Sequence, residues 1–300
     1  MKKMFYAVLA LMAVSFGAFG AEPKELKFCT GAEGGFYESF AKQLGGDIKK
    51  QGKGIVNVEY LNTEGSVSSA AMLKNGECDI ALLQADAVLS RPMPSDIAIS
   101  DAHAEAIFWL YGKSKVEDFD DMAKDANKNY GVAIVSGSGA EVTLRNFGNV
   151  DKKFKDLNII TFDDWFSAAK ATAEGKIRRA GNDIQIAGMI YVGRIGNISS
   201  EITGDFKDDL TIGEIDVSSF EGVKDRNGNQ LYTTCKITNA NGIKDNKGFM
   251  TGDPKTFCVR AQVVYNNELF EGMEPKAVRE LRKVMDKAIV QNVRQQQAAK

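Results

Sequence analysis

The stretch LKFCTGAEGGFYESFAKQLGGDI at residues 26–48 decides the fold of this chain. It opens on a short apolar run, residues 26–29, and continues through a glycine-rich turn. The apolar residues after the turn recur at every fourth position, as Phe36, Phe40, Leu44 and Ile48. This pattern predicts a strand, a tight turn and a helix that packs one face against a sheet.

The same alternation of strand and helix continues outward from this stretch. Residues 55–61 alternate between apolar and polar side chains, which predicts a second strand. Residues 63–66, TEGS, open a helix that ends at Gly76. Residues 79–84, DIALLQ, form the continuous apolar run typical of a strand inside a parallel sheet. Strands and helices in this order predict an α/β fold with right-handed crossovers.

A second module of the same kind follows. Residues 130–135 predict a strand, and residues 136–139, SGSG, predict a turn that leads into a helix. Asp163 is the predicted N-cap of an alanine-rich helix that ends before Gly175, and residues 183–192 return to an apolar strand. The chain therefore contains two α/β modules, each with its own glycine-rich turn from a strand into a helix.

Composition places the chain among ordinary globular proteins. Its 300 residues are 44% hydrophobic and 26% charged, which excludes collagen-like, coiled-coil and wholly disordered chains. The length suits two domains or one large one. The formal charge of −2 is nearly balanced, so we expect neither a nucleic acid nor an anionic membrane surface as an electrostatic partner.

The N-terminal residues predict export. Lys2 and Lys3 precede an apolar run at residues 4–19, and small residues stand before a cleavage point after Gly20. We therefore predict a signal peptide of residues 1–20. The alternative, a membrane anchor, requires about 20 apolar residues to span a bilayer, and this run is shorter. The mature chain is expected to be exported, with a charge of about −4.

Export makes the four cysteines candidates for disulfide bonds. Cys235 and Cys258 lie in two strand-like runs on either side of a connection rich in Gly, Asn and Asp, so we predict a disulfide between them. Cys29 ends one predicted strand and Cys78 begins another. The end of one strand and the start of its parallel neighbour lie apart, so we leave open whether Cys29 and Cys78 form a disulfide. Whether residues 220–252 are ordered is also left open. No C-x2-C pair exists, and we expect no metal site.

Motifs for catalysis are absent from the sequence. His103 is its one histidine, and no nucleophile motif stands beside it. The turn at residues 136–139 is not a nucleophile elbow, because G-x-S-x-G requires Gly where Ser136 stands. The glycine-rich turns match neither the dinucleotide pattern G-x-G-x-x-G nor the phosphate-loop pattern. We expect no catalytic residue and no cofactor; a secreted α/β hydrolase is kept as an alternative.

Three strand-to-helix turns, at residues 31–37, 63–66 and 136–139, share one physical property. Each presents the free N–H groups and partial positive charge of a helix N-terminus, and glycine lets a ligand come close to the backbone. In open parallel sheets, ligands bind beyond the carboxyl ends of the strands, where these turns lie. The turns therefore predict that the two modules grip a small anion between them.

Charged side chains near the turns bear on the kind of ligand. Asp86 follows a predicted strand, and its carboxylate repels another carboxylate but suits an ammonium, which favours an amino acid such as glutamate. Arg145 and Arg194 are either partners for a ligand carboxylate or solvent-exposed arginines. We expect the ligand to be a small organic acid or an amino acid.

Three segments carry a resemblance to a known family. They are TGAEGGFY at residues 30–37, TEGSV at 63–67 and LKNGECDIALLQAD at 73–86, and they resemble the TAXI family of TRAP-transporter solute-binding receptors. The SGSG turn before a helix that contains Thr143 resembles the second-domain turn of that family. The resemblance implies a type II periplasmic-binding-protein fold, with two α/β lobes joined by a two-stranded hinge and the ligand cleft between them.

The resemblance also implies a division of the chain and a set of site residues. Lobe 1 is expected at residues 21–112 and 256–300, and lobe 2 at residues 113–255. The implied ligand-binding residues are Gly34, Gly35, Phe36, Tyr37, Ser66, Gln84, Asp86, Ser136, Ser138 and Thr143. The implied partner is a TRAP-type membrane permease, to which a monomeric receptor delivers its ligand. A periplasmic sensor or interaction protein built on the same fold is a further alternative.

Overall fold

The computed structural model describes residues 23–114, 116–238, 241–246 and 252–298. The predicted signal peptide lies outside these ranges, as do parts of the glycine-rich connection before Cys258. Over the described ranges, no helix combines the length and the apolar character that crossing a membrane requires.

Within these ranges the chain forms twelve β-strands and seven α-helices. The strands are β1 (Lys24–Cys29), β2 (Val56–Leu61), β3 (Ile80–Gln84), β4 (Ile97–Tyr111), β5 (Gly131–Val135), β6 (Asn158–Phe162), β7 (Lys176–Arg179), β8 (Asn182–Gly193), β9 (Thr211–Gly213), β10 (Tyr232–Lys236), β11 (Lys244–Asp245) and β12 (Lys255–Asn266). The helices are α1 (Phe36–Gly52), α2 (Ser66–Lys74), α3 (Ala85–Ser90), α4 (Gly139–Val150), α5 (Trp165–Glu174), α6 (Ser200–Phe206) and α7 (Pro275–Ala298).

The first part of the sheet has the strand order β2-β1-β3-β12-β4. Strand β1 runs parallel to β2 and β3, and β12 runs antiparallel to β3. The apolar stripe predicted for α1 is buried, with Phe40, Leu44 and Ile48 at most 1% exposed. Every residue of β3 is buried, as an interior strand requires. The alternation of strands and helices predicted over residues 26–84 is therefore confirmed.

The second part of the sheet repeats this order as β6-β5-β8-β4, with β9 on the far side of β4. Strand β5 runs parallel to β6 and β8, and β4 runs antiparallel to β8. The N-cap of α5 is Asp164, whose carboxylate accepts a hydrogen bond from the N–H of Ser167. The prediction of Asp163 was wrong by one residue, because two adjacent aspartates offer the same capping group and only the backbone conformation selects between them.

Two long strands join these parts. Strand β4 pairs with β12 from Ile97 to Ala106 and then with β8 from Ala106 to Leu110. Strand β12 pairs with β10 near its start and with β3 near its end. Both strands thus pass from one part of the sheet to the other. The molecule consists of two α/β lobes joined by a two-stranded hinge, which is the expected type II periplasmic-binding-protein fold.

The structure contains two disulfide bonds. Cys235 of β10 is joined to Cys258 of β12, with Cα atoms 5.8 Å apart. Cys29 is joined to Cys78, with Cα atoms 5.9 Å apart. The expectation that the second pair lies apart was wrong, because Cys78 lies in the connection between α2 and β3 rather than in the strand, so the strand register does not fix its distance from Cys29. This bond fixes the strand end that leads into the first glycine-rich turn.

Candidate ligand-binding site

The N-termini of α1, α2 and α4 meet around a cavity of about 100 Å³. Helices α1 and α2 belong to the first lobe and α4 to the second. The cavity is lined by six of the residues predicted to bind ligand, namely Gly35, Phe36, Tyr37, Ser66, Gln84 and Ser138. All three predicted turns therefore contribute to the wall of one cavity between the lobes.

Two of these turns touch each other beside the cavity. The N–H of Val67 donates a hydrogen bond of 3.0 Å to the carbonyl oxygen of Gly137 in the other lobe. Gly65 has a φ of 144°, which favours glycine, and a Cβ atom on it would lie 3.0 Å from the Cα atom of Ser138. The absence of a side chain at Gly65 lets the backbones come this close. The two lobes are therefore in a closed arrangement.

The three helix N-termini at the cavity have no side-chain cap. Their N-cap residues are Gly35, Gly65 and Ser138, and no side chain accepts a capping hydrogen bond at any of them. By contrast, Asp164 caps α5 and Ser199 caps α6 through side-chain oxygens. The helix dipoles and first-turn N–H groups favour a carboxylate here, although the Val67 N–H already donates a hydrogen bond to Gly137 and the first turns of α1 and α4 contain Glu38 and Glu141.

Glu105 of β4 lines the cavity and is only 2% exposed. Its Oε2 atom accepts hydrogen bonds from the Tyr37 hydroxyl at 2.8 Å and from Gln84 Nε2 at 3.2 Å. His103 Nε2 lies 3.2 Å from Glu105 Oε1. Burial, and then the neighbouring carboxylate of Glu105, raises the pKa of Tyr37, so its hydroxyl stays protonated and donates. The cavity therefore has a fixed acidic group as well as electropositive helix ends.

Gln84 connects this acidic group with the start of α4. Its amide nitrogen donates to Glu105, and its buried amide oxygen has no hydrogen-bond partner among the described residues. A Cβ atom at Gly139 would overlap the Gln84 amide, so a larger residue there has to displace this amide from its hydrogen bond with Glu105. An unpaired buried acceptor is costly, and an N–H group of a ligand can satisfy it.

Arg194 supplies a cationic side chain at the cavity. Its guanidinium lies 5.2 Å from the ring centre of Phe36, which belongs to the other lobe. Tyr191 and Trp165 also line the cavity, with their ring centres 4.9 Å apart. Arg145, the other arginine considered from the sequence, instead pairs with a glutamate on the same helix, and half of its side chain is exposed. Of the two arginines, the structure therefore brings only Arg194 to the cavity.

Four predicted ligand-binding residues do not line the cavity. Asp86 and Thr143 are fully buried, and the Thr143 hydroxyl donates a hydrogen bond of 2.6 Å to Asp86 Oδ2. Burial raises the pKa of Asp86 to about 6. Gly34 donates its N–H to the carboxylate of Glu38, and Ser136 is exposed at the surface.

The sequence did not single out Glu105, Trp165 or Tyr191. A signal for Glu105 is nevertheless present, because it is the one charged residue in AEAIFWLY at residues 104–111. A carboxylate inside a buried strand is costly unless it is hydrogen-bonded, so such a residue indicates a specific role. The two aromatic residues carry no comparable signal, since aromatic side chains are common in ordinary cores.

Two side chains of the kinds that catalysis uses, Ser138 and His103, contact other groups. The Ser138 hydroxyl donates a hydrogen bond of 2.6 Å to the carbonyl oxygen of Val135, and His103 contacts Glu105 rather than a serine. In the part of the chain that the structure describes, no group of three or more His, Cys, Asp or Glu side chains could hold a metal ion. What the site offers is a set of fixed donors and acceptors around a small cavity.

No protein-family model matches the chain, and no curated protein matches it. Solved structures of similar shape include the GluR0 ligand-binding core in complex with L-glutamate, which is 14% identical, with 92% of this chain and 98% of that chain covered and a TM-score of 0.49. MatC from Rhodopseudomonas palustris with bound malate is 15% identical. The match covers 91% of this chain and 87% of the MatC chain, with a TM-score of 0.48. A third similar structure is an amino acid ABC transporter substrate-binding protein from Streptococcus pneumoniae bound to L-arginine, which is 12% identical. The match covers 91% of this chain and 93% of that chain, with a TM-score of 0.45. Similarity at this level assigns neither a family nor a ligand to this chain.

Proposed function

We propose that this protein is an exported solute-binding receptor that closes on a small organic acid or amino acid, with a glutamate-like ligand as the best candidate. The observation that carries the proposal is the cavity between the lobes, where three uncapped helix N-termini and Arg194 surround the same space as the buried carboxylate of Glu105. In this proposal, lobe 1 comprises residues 21–112 and 256–300, and lobe 2 comprises residues 113–255.

The charges of the cavity support a ligand that carries a carboxylate. Helix N-termini and a guanidinium both stabilise such a group. Glu105, the unpaired amide oxygen of Gln84 and the exposed Glu64 all line the cavity and are acceptors for a ligand ammonium. The sequence assigned that role to Asp86, and we now propose Glu105 for it because Asp86 does not line the cavity. The small cavity of about 100 Å³ supports a small metabolite rather than a large ligand.

The hinge supports a mechanism of capture by closure. Strands β4 and β12 both cross between the lobes, so a rotation about them separates the turn at Gly65 from the turn at Ser138. A ligand that contacts both lobes stabilises the closed form over the open one. The closed form then presents one continuous surface, formed by both lobes, to a membrane transporter.

The N-terminal sequence supports the periplasm as the place of action. The resemblance to the TAXI family supports a TRAP-type permease as the partner that receives the ligand. In this proposal the receptor acts as a monomer and has no catalytic activity. The hydrogen bond that ties the Ser138 hydroxyl to its own turn favours this role over that of a hydrolase, since the hydroxyl is not paired with a base.

A thermal-shift titration tests the proposal. The chain of residues 21–300 is titrated with L-glutamate, other amino acids and small dicarboxylates, and a hundredfold excess over Kd is expected to stabilise it by about 2.7 kcal/mol. Arg194→Gln is expected to abolish the shift. Arg145→Gln makes the same change at an exposed arginine of the same lobe and is expected to retain it. A flat response of the wild-type chain to the whole panel would contradict the proposal.

A further inference from the structure

Five cationic residues form a row along one face of α7. They are Lys276, Arg279, Lys283, Lys287 and Arg294. At about 100° per residue, they lie within an arc of about 80° around the helix axis, and at 1.5 Å per residue the row is about 27 Å long. The opposite face of α7 is buried in the core of the first lobe. The row therefore lies on the outer side of the helix.

The cations of this row are exposed, and among the described residues none of them forms a hydrogen bond or an ion pair, even with the exposed Glu280 of the same helix. Two other basic side chains do make contacts, since Arg282 of the same helix stacks on Phe270 at 4.1 Å and Lys124 pairs with Asp121. Unpaired cations in register along a helix are available to an external anionic surface.

The balanced charge of the whole chain conceals this local excess. The formal charge is −2, yet α7 contains six basic and two acidic residues. The near-balanced charge of the whole chain therefore does not exclude an anionic membrane surface as a partner of this face. We propose that the basic row of α7 docks the protein onto anionic lipid headgroups.

The composition of the face favours lipid headgroups over a protein partner. Specific protein interfaces depend on aromatic and apolar anchor residues at their centre. Among the described residues of α7, Val290 is the one large apolar side chain that is exposed, at 47%. A headgroup surface requires only positive charge within a Debye length. A row parallel to the helix axis lets all five cations approach such a plane together.

Vesicle co-sedimentation tests this inference. The chain of residues 21–300, which contains every described residue and lacks the apolar N-terminal run, is mixed with vesicles of phosphatidylcholine alone or of an equal mixture with phosphatidylglycerol. The measurement is made at low and at physiological ionic strength. The test variant combines Lys283→Gln, Lys287→Gln and Arg294→Gln. The control combines Lys152→Gln, Lys153→Gln and Lys155→Gln, which removes the same charge from exposed lysines of the second lobe.

We expect wild type and control to bind the mixed vesicles, with weaker binding at higher ionic strength and none to phosphatidylcholine alone. The α7 variant is expected to bind roughly a hundredfold more weakly. Equal losses in the two variants would overturn the inference, because they would reflect net charge alone. Failure of the wild type to bind the mixed vesicles would also overturn it and would leave an acidic protein surface as the remaining candidate partner. Unchanged melting temperatures show that both variants are folded.

Discussion

The hydroxyl of Thr143 donates a hydrogen bond of 2.6 Å to Asp86 Oδ2, and the two residues belong to different lobes. The hydroxyl of Tyr232, also in the second lobe, donates to the same oxygen at 3.1 Å. All three residues are fully buried. A carboxylate that the sequence indicated as a ligand contact thus joins the two lobes outside the cavity, and its protonation affects stability.

The first prediction concerns the pH dependence of this contact. Burial raises the pKa of Asp86 from 3.8 to about 6, although hydrogen bonds from Thr143 and Tyr232 act in the opposite direction. Because the pKa is higher in the folded than in the unfolded chain, Asp86 contributes less to stability as pH rises through the range from about 4 to about 6. Asp86→Asn removes this titration.

We therefore expect the unfolding free energy of the wild type, relative to that of Asp86→Asn, to fall by about 2 kcal/mol between pH 4 and pH 7. Urea denaturation of both proteins at pH 4 and pH 7 measures this difference in unfolding free energy. The titration of all other groups is common to both proteins and cancels in the comparison. A difference that is the same at both pH values would show that the pKa of Asp86 is not raised.

The second prediction concerns closure at Gly139. A side chain there overlaps the Gln84 amide only when the lobes are closed, so Gly139→Ala is expected to weaken ligand binding about tenfold or more. Gly46→Ala in α1 is the matched control, because nothing lies within 4 Å of the added atom and the change stabilises a helix by about 0.5–1 kcal/mol. Calorimetric titration measures both affinities. Equal affinities in the two variants would argue against closure over the ligand.

The third prediction distinguishes amino acids from other carboxylates. Glu105→Gln removes the negative charge at the cavity and is expected to weaken the binding of an amino acid about tenfold or more, whereas a dicarboxylate without an amino group keeps its affinity. Asp101→Asn changes an exposed carboxylate of the same strand and is expected to affect neither. The ratio of the two affinities, measured by thermal shift, is the readout. An unchanged ratio in Glu105→Gln would show that Glu105 does not bind a ligand ammonium.

The fourth prediction compares the two disulfides. The Cys29–Cys78 bond closes the longer loop, with a sequence separation of 49 against 23 for Cys235–Cys258. In the chain-entropy description, removing the first bond by alanine substitution costs about 4 kcal/mol, and removing the second costs about 3.5 kcal/mol. Urea denaturation of the two double variants tests this order. A greater loss from the second pair would show that native-state packing outweighs loop length.

The order of helices and strands in the first lobe was predictable because it follows from the spacing of apolar residues along the sequence. The apolar stripe of α1 and the buried run of β3 each follow from neighbouring residues alone. The turns before α1, α2 and α4 were predictable as binding elements for the same reason, since a glycine-rich strand-to-helix junction has fixed chemistry. Strand β7 was missed, because three of its four side chains are exposed and its sequence KIRR has no apolar alternation.

The rest of the site depends on long-range register. Glu105 reaches the cavity because β4 crosses between the lobes, and Arg194 reaches it because it follows β8, the neighbour of β4. The pairing of Cys29 with Cys78 likewise depends on the path of the connection between α2 and β3, which neighbouring residues do not reveal. The sequence shows which residue types are present, but the distances between them depend on how the strands pair. For the same reason, the sequence predicted that Asp86 contacts the ligand, whereas in the structure it accepts a hydrogen bond from Thr143.

The most direct test of the central claim is calorimetric titration of the chain of residues 21–300 with L-glutamate and with small dicarboxylates. The account predicts binding of one molecule per chain to a member of this panel, lost in Arg194→Gln and retained in Arg145→Gln. No binding of any member, or binding that Arg194→Gln leaves unchanged, would contradict the claim that the cavity between the lobes captures a carboxylate ligand.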